Sequence, residues 1–406
     1  MTSPSPHAPL ARRTVVILAT GAGFSVASIY YSQPMLGILV RELHATVSSV
    51  GLVPTLTQAG YALGILLLAP LGDRHDRRKI IALKGLLLAC ALVFSASSSG
   101  IGMLLLASLT VGIAATVAQD IVPASAQLSP AAQRGKTVGS VMTGLLLGIL
   151  LSRVLSGFVA GYFGWRSIFI AAAVMVTAIT LVLWRSLPSM PPATQMRYPA
   201  LLSSMHHLWC HYPALRRATL AQALLSVGFS AFWSTLAVML HDSWQLGSAT
   251  AGSFGLAGAA GALAAPLAGT LADRRGPRRV TLIGTTVASL SFALMFLLPW
   301  LPAPWALAVI VLSAIGFDFG VQSTLVSHQS IIFSLEPAAR SRLNALMFTG
   351  VFIGMAAGSA AGSIMLEKTG WTGVVALLTL SGLGSMVVRW RDRTPPAAVR
   401  QPAAGS

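Results

Sequence analysis

Twelve stretches of this chain carry no charge, or a single one, and are long enough to cross a bilayer: Thr14–Val40, Val47–Leu71, Ile80–Ser99, Ile101–Leu128, Thr137–Phe163, Ser167–Trp184, Ala218–Leu240, Ala249–Ala272, Val280–Trp300, Trp305–Phe333, Leu343–Leu366 and Thr372–Val388. A helix needs about 20 apolar residues to span the hydrocarbon core. Twelve crossings use most of the 406 residues, leaving short loops and no room for a soluble domain. With 55% hydrophobic and 9% charged residues, a water-soluble globule is excluded. The expected architecture is an all-α membrane protein with twelve transmembrane helices. Arg12-Arg13 ahead of the first run has the pattern of a secretory or twin-arginine signal, but that run is too long for one and eleven more follow.

The 27 Lys and Arg against 10 Asp and Glu suggest nucleic acid only until their positions are read. If the chain starts in the cytoplasm, all but Arg41, Arg153, Arg166 and Lys368 of the basic residues fall on the inner side. That asymmetry orients a membrane protein. Both termini are therefore expected in the cytoplasm and no nucleic-acid partner is implied. Cys90 and Cys210 are too few and too badly placed for a disulfide framework.

The sequence repeats itself. Leu71-Gly-Asp73-Arg74 with Arg77-Arg78 returns as Leu271-Ala-Asp273-Arg274 with Arg278-Arg279, Pro130-Ala-Ala-Gln-Arg134 as Pro337-Ala-Ala-Arg340, and Gly164-Trp165 as Gly370-Trp371, at offsets of 200 to 207. Two parallel six-helix repeats follow, residues 1–186 and 218–406, joined by a cytoplasmic linker, 187–217. A repeat of this kind places a substrate site at the interface near mid-membrane. In the linker, Leu201, Met205, Leu208 and Tyr212 share a helical face, as in an amphipathic helix lying on the membrane surface. His206, His207, Cys210 and His211 lie in the same segment without a carboxylate, so no metal site is expected.

The segment Gly269-x-Leu271-Ala272-Asp273-Arg274-x-Gly276-x-Arg278-Arg279 resembles the loop signature of the major facilitator superfamily, and the twelve-helix repeat extends that resemblance along nearly the whole chain. The first copy has Ala69 and Asp76 where the signature has glycines. The resemblance implies a gating latch formed by Asp73, Arg74, Arg77, Asp273, Arg274 and Arg278. It also implies a central cavity lined by spans 1, 4, 7 and 10, with Tyr31, Gln33, Thr116, Gln222, Ser226, Trp233 and Gln322 as candidate lining residues. Span 5 departs from the family's antiporter motif at Ile149 and Ser152-Arg153. Span 4 has Ser108 where many proton antiporters have arginine. Glycines every fourth residue, Gly350 to Gly362, and the pairs Gly60/Gly64, Gly144/Gly148 and Gly157/Gly161 allow close packing, a sliding surface, or both.

Only two acids lie within the runs, Asp120 and Asp318, in spans 4 and 10 of the repeat. An ionised Asp in hydrocarbon is costly, so each faces a cavity, is paired, or is protonated. Thr116, Asp120 and Gln127 share one helical face, and Asp318, Gln322 and Gln329 another. Arg153 is the only basic residue deep in a span, since Lys84 is near enough to a span end to snorkel. Asp120 is its nearest acid in chain order but lies about 12 Å deeper toward the cytoplasm, and the alternative partners are polar groups of span 1 or 8. Asp120, Asp318 and Arg153 are the candidate proton-coupling residues.

No enzyme is expected. Gly135-Lys136-Thr137 resembles the end of a phosphate loop, but Pro130 replaces its first glycine and no strand precedes it. The reading is a secondary active transporter needing no cofactor, a monomer in a bacterial inner membrane, exporting a small neutral or amphipathic solute, drug or sugar-like, in exchange for protons. A sugar-like nutrient symporter or facilitator is the alternative, and a non-transporting membrane sensor or enzyme stands behind it.

Overall fold

Without water to bond the backbone, an apolar chain must satisfy its peptide groups internally, and every regular element among the described residues is helical. The computed structural model describes residues 11–130, 133–192, 194–258, 267–271, 274–336 and 339–391. Its helices are α1 (Arg12–Ala27), α2 (Leu36–Glu42), α3 (Val47–Arg74), α4 (Arg77–Ala96), α5 (Ile101–Ala115), α6 (Val117–Leu128), α7 (Arg134–Phe163), α8 (Trp165–Ser186), α9 (Tyr198–His211), α10 (Pro213–Trp244), α11 (Ser248–Ser253), α12 (Pro277–Leu294), α13 (Ala303–Phe333) and α14 (Arg340–Arg391).

Among the described residues, nine helical segments are long and apolar enough to cross a membrane, α5 and α6 together forming one. The 52 residues of α14 would extend about 78 Å if straight. They turn instead at Gly370, whose φ of 69° is costly for any residue with a Cβ. Gly164, at φ 82°, makes the matching break between α7 and α8, so the repeated Gly-Trp pair marks the same turn twice. The first predicted span is interrupted between α1 and α2 by a short 3₁₀ turn, Gln33–Met35. The eighth is described only as α11, the 3₁₀ turn Phe254–Gly258 and helical residues 267–271.

Buried side chains form two large clusters, one drawn mainly from α1–α8 and one from α10–α14. Glycines decide how closely the helices within each set approach. Gly144 and Gly148 of α7 meet Ala19 and Gly23 of α1, while Gly354 and Gly358 meet the backbone of Ala223 and Val227 in α10. A Cβ at any of these four positions would strike backbone. The ridge from Gly350 to Gly362 therefore packs inside the C-terminal set and is not a surface between the sets. Contacts between the sets use other small residues: Gly157 lies against Ser248 and Gly252, and Ser359 Oγ donates to Gly51 O at 3.1 Å.

The linker corrects one expectation. The buried face of α9 packs on protein: Met205 and Leu208 cluster with Leu215, Ile332, Leu343 and Met347 at the helix ends, and Leu201, also buried, lines a small cleft with Met205 and Ala345. Those ends offer the apolar surface that the membrane was expected to supply. Among the described residues no group of three or more His, Cys, Asp or Glu could hold a metal.

Candidate functional site

Four charged residues lie inside the apolar runs, all nearly inaccessible: Lys84 (4% exposed), Asp120 (2%), Arg153 (3%) and Asp318 (4%). They form two centres at different depths.

The shallower one is closed. Lys84 enters from α4, seven residues past Arg77, and Asp120 from α6, eight before Leu128, so both lie about 10–12 Å from the same helix ends. Lys84 Nζ and Asp120 Oδ2 are 2.6 Å apart. Gly72 of α3 makes room for this pair, because a Cβ there would strike the Asp120 carboxylate. Toward the helix ends Asp73 and Arg77 form an ion pair at 2.5 Å, and Arg77 Nη1 donates to Gln127 Oε1 at 3.4 Å.

The linker is tied to the same end. Gln127 Nε2 donates to Pro191 O at 3.2 Å and Thr194 N to Asp73 O at 3.1 Å. Asp76 caps α4, accepting from Arg78 N at 3.0 Å, and also accepts from Met190 N at 3.0 Å and Ser189 Oγ at 2.8 Å. Slight burial pushes the Asp76 carboxyl up, but the Met190, Ser189 and Arg78 hydrogen bonds outweigh it and hold the group below the usual carboxylate range. The residue that replaces a signature glycine is thus the linker's anchor.

The deeper centre is open. Arg153 of α7 and Asp318 of α13 line one small cavity with Phe229, Gly258 and Gln322. Gly252 and Gly255 clear the space beside Arg153, where a Cβ on either would collide with it. Arg153 Nε donates to Gln33 Oε1 at 2.9 Å. Its guanidinium lies 4.3 Å from the ring centre of Trp233, 4.8 Å from Tyr30 and 5.6 Å from Phe229, a cation–π cage. Phe317 braces Trp233 from the residue preceding Asp318, with ring centres 6.4 Å apart. Among the described residues, Asp318 Oδ1, Arg153 Nη2, Gln33 Nε2 and the Trp233 indole N–H lack hydrogen bonds of good geometry. Buried polar atoms left in this state are costly, and here they converge on one place.

Three of the expected lining residues, Gln33, Trp233 and Gln322, surround this centre. Four do not. Tyr31 lines a groove on the outside of the bundle while its neighbour Tyr30 faces Arg153, since consecutive residues near a helix break point in different directions. Thr116 bonds its own backbone at Ile113 O, 2.7 Å, with its methyl against Gly64. Gln222 is occupied between α10 and α13, donating to Val321 O at 3.3 Å and facing His328 Nδ1 at 3.0 Å, and Ser226 bonds back to Gln222 O at 2.8 Å.

Arg153 does not take Asp120 as its partner, because Lys84 holds that carboxylate and Gln33 is nearer Arg153's depth. Sequence reasoning missed Lys84, Tyr30, Phe229 and the buried bond from Ser230 Oγ to Gln58 Oε1, 3.0 Å, between α10 and α3. Equal depth from the helix ends was the signal for Lys84. Of the latch residues, Asp73 shares a small cleft with Arg342 of α14. Arg74, Arg274 and Arg278 are exposed, and Asp273 lies outside the described residues.

A bundle of long apolar helices, with charged groups buried at mid-depth between two helix sets, is the architecture of a membrane transporter. The sequence profile of the Major Facilitator Superfamily matches residues 18–332. The chain belongs to that family and is one of its transporters. It is 37% identical to the uncharacterized transporter YgaY of Escherichia coli O157:H7 over 391 residues, 95% of this chain and 97% of that one. It is 27% identical to the enterobactin exporter EntS of Escherichia coli O1:K1 / APEC over 394 residues, 90% of this chain and 87% of the exporter. The crystal structure of a D-xylose-proton symporter superposes with a TM-score of 0.73 at 16% identity, covering 95% of this chain and 97% of that one, a likeness of fold alone.

Proposed function

We propose that this transporter exports a small neutral or amphipathic solute, drug or sugar-like, from the bacterial cytoplasm in exchange for protons, with Asp318 and Arg153 as the coupling centre. The observation that carries the reading is the open acid–base couple shared by α7 and α13, one helix from each set. A proton or a solute arriving between them meets one acid, one base and a wall of aromatic rings. That composition suits an uncharged or amphipathic cargo better than a polyanion. The direction of transport rests on the full-length likeness to an exporter.

In this reading the protein works as a monomer without nucleic acid, its twelve helices form two six-helix halves, and both termini are cytoplasmic, as the basic asymmetry supports. Asp73 and Arg77 belong to the inner gate, with Arg342 as the charge facing them across the cleft. Asp120, already paired with Lys84, braces the N-terminal half and carries no proton through the cycle.

A panel of small solutes screened by thermal shift supplies a ligand for flux assays. In proteoliposomes with an imposed pH gradient, that solute is expected to move against the proton flow. Movement with the protons would make the protein a symporter, and indifference to the gradient a facilitator.

A further inference from the structure

A cavity of about 600 Å³ lies on the outside of the bundle between α1, α7 and α8, away from the Asp318 centre. Its floor is the seam where Ala19 and Gly23 meet Gly144 and Gly148, so the bottom is backbone with almost no side chain above it. The walls are apolar, and Val16, Leu151, Leu155 and Met175 stand exposed along them. The shape is a slot for an alkyl chain.

Charge marks one end. Arg12 lines the mouth of the groove. Because α1 and α7 start from the same end and Gly23 packs between Gly144 and Gly148, stepping back along both helices brings Arg12 level with Lys136. Lys136 is one turn before Ser140, which also lines the groove, and therefore lies on the same face of α7. Arg12 and Lys136 are both exposed, and no ion pair among the described residues engages either one. From Ser140 to Leu155 the groove runs about 22 Å along α7, more than the roughly 15 Å of a single leaflet's hydrocarbon. One acyl chain entering beside Arg12 reaches Tyr31 at the far end.

We propose that this groove binds one anionic phospholipid from the leaflet at the Arg12 end, its phosphate between Arg12 and Lys136 and one acyl chain in the slot. Two basic side chains at a headgroup favour an anionic over a zwitterionic lipid by roughly 10- to 30-fold. The bound chain would end against Tyr31, next to Tyr30, one of the three rings around the Arg153 guanidinium.

Native mass spectrometry of the full-length protein, titrated with phosphatidylglycerol or phosphatidylcholine, tests the site. The expected result is one phosphatidylglycerol retained at least about tenfold more tightly than phosphatidylcholine. Arg12→Ala with Lys136→Ala should abolish the preference. Filling the slot by Ala171→Phe, or separately by Thr143→Phe, should remove the bound lipid while the lipid-free unfolding temperature stays within a few degrees of the parent. Equal retention of the two lipids by the parent protein would overturn the proposal, as would a filled-groove variant that keeps the anionic preference, since the lipid would then be part of the general annulus.

Discussion

The two acid–base couples inside the apolar runs are built differently. Lys84 and Asp120 belong to neighbouring helices of the N-terminal set and meet at 2.6 Å, with Gly72 admitting the carboxylate. Arg153 and Asp318 come from opposite sets and share a cavity, and among the described residues Asp318 Oδ1 and Arg153 Nη2 lack hydrogen bonds of good geometry. A closed pair held within one helix set need not change when the two sets move. An open pair divided between the sets changes its separation with every such motion, so it can couple ion and solute to conformation. The proposed function accordingly has the first couple brace the N-terminal set and the second one couple ion to solute.

The strongest way to break this contrast is to halve the closed pair. Lys84→Met leaves a carboxylate buried without its countercharge, which typically costs about 3–5 kcal/mol. Removing both charges, Lys84→Met with Asp120→Leu, should return most of that stability, because an apolar pair of similar volume replaces an ion pair at little net cost. Chemical or thermal unfolding in detergent reads both. A single variant as stable as the double would mean that Asp120 already has another partner.

A smaller effect belongs to the linker clamp. Asp76→Ala removes an N-cap and two linker bonds and should cost about 0.5–2 kcal/mol, seen as faster tryptic cleavage at exposed Arg197. Because the folded state holds the Asp76 carboxyl below its ordinary value near 3.9, the clamp's contribution is complete above that value and is lost as pH falls through the depressed folded one. The ratio of cleavage at Arg197 in Asp76→Ala to that in the parent, measured at matched pH, should be flat from pH 5 to 8.

The smallest contrast concerns two adjacent tyrosines. Tyr30→Leu removes one wall of the Arg153 cage, a contact of about 0.5–2 kcal/mol, and should weaken solute affinity several-fold. Tyr31→Leu, outside that cage, should change it by no more than about twofold. Equal effects would place the cargo path along the outer groove.

Much of this was legible in the sequence. Charge-free runs mark the nine helical segments that are long and apolar enough to cross a membrane among the described residues, and the Gly164-Trp165 and Gly370-Trp371 repeats are equivalent positive-φ breaks. Arg153 and Asp318 stood out because charge in hydrocarbon demands a reason. Pairings were harder to read. Chain order offers Asp120 to Arg153 and leaves polar groups of span 1 or 8 as alternatives; the structure takes the alternative, Gln33 of span 1, and depth measured from the helix ends links Asp120 to Lys84. Periodicity puts Thr116 on the Asp120 face and the family resemblance points to Gln222 and Ser226, but neither shows that their polar atoms are already used by backbone or by neighbouring side chains. The resemblance points to Tyr31 and not to its neighbour Tyr30, because the helix break at residues 28–35, which decides which ring faces Arg153, has no periodic signature.

The division of labour is tested most directly by comparing gradient-driven transport with unpowered solute exchange in two variants, Asp318→Asn and the Lys84→Met/Asp120→Leu double. Asp318→Asn is expected to exchange solute across the membrane but to lose uphill transport and its pH dependence, while the double variant retains both. An Asp318→Asn protein that still drives uphill export with an unchanged pH profile, beside a double variant that does not, would contradict that division.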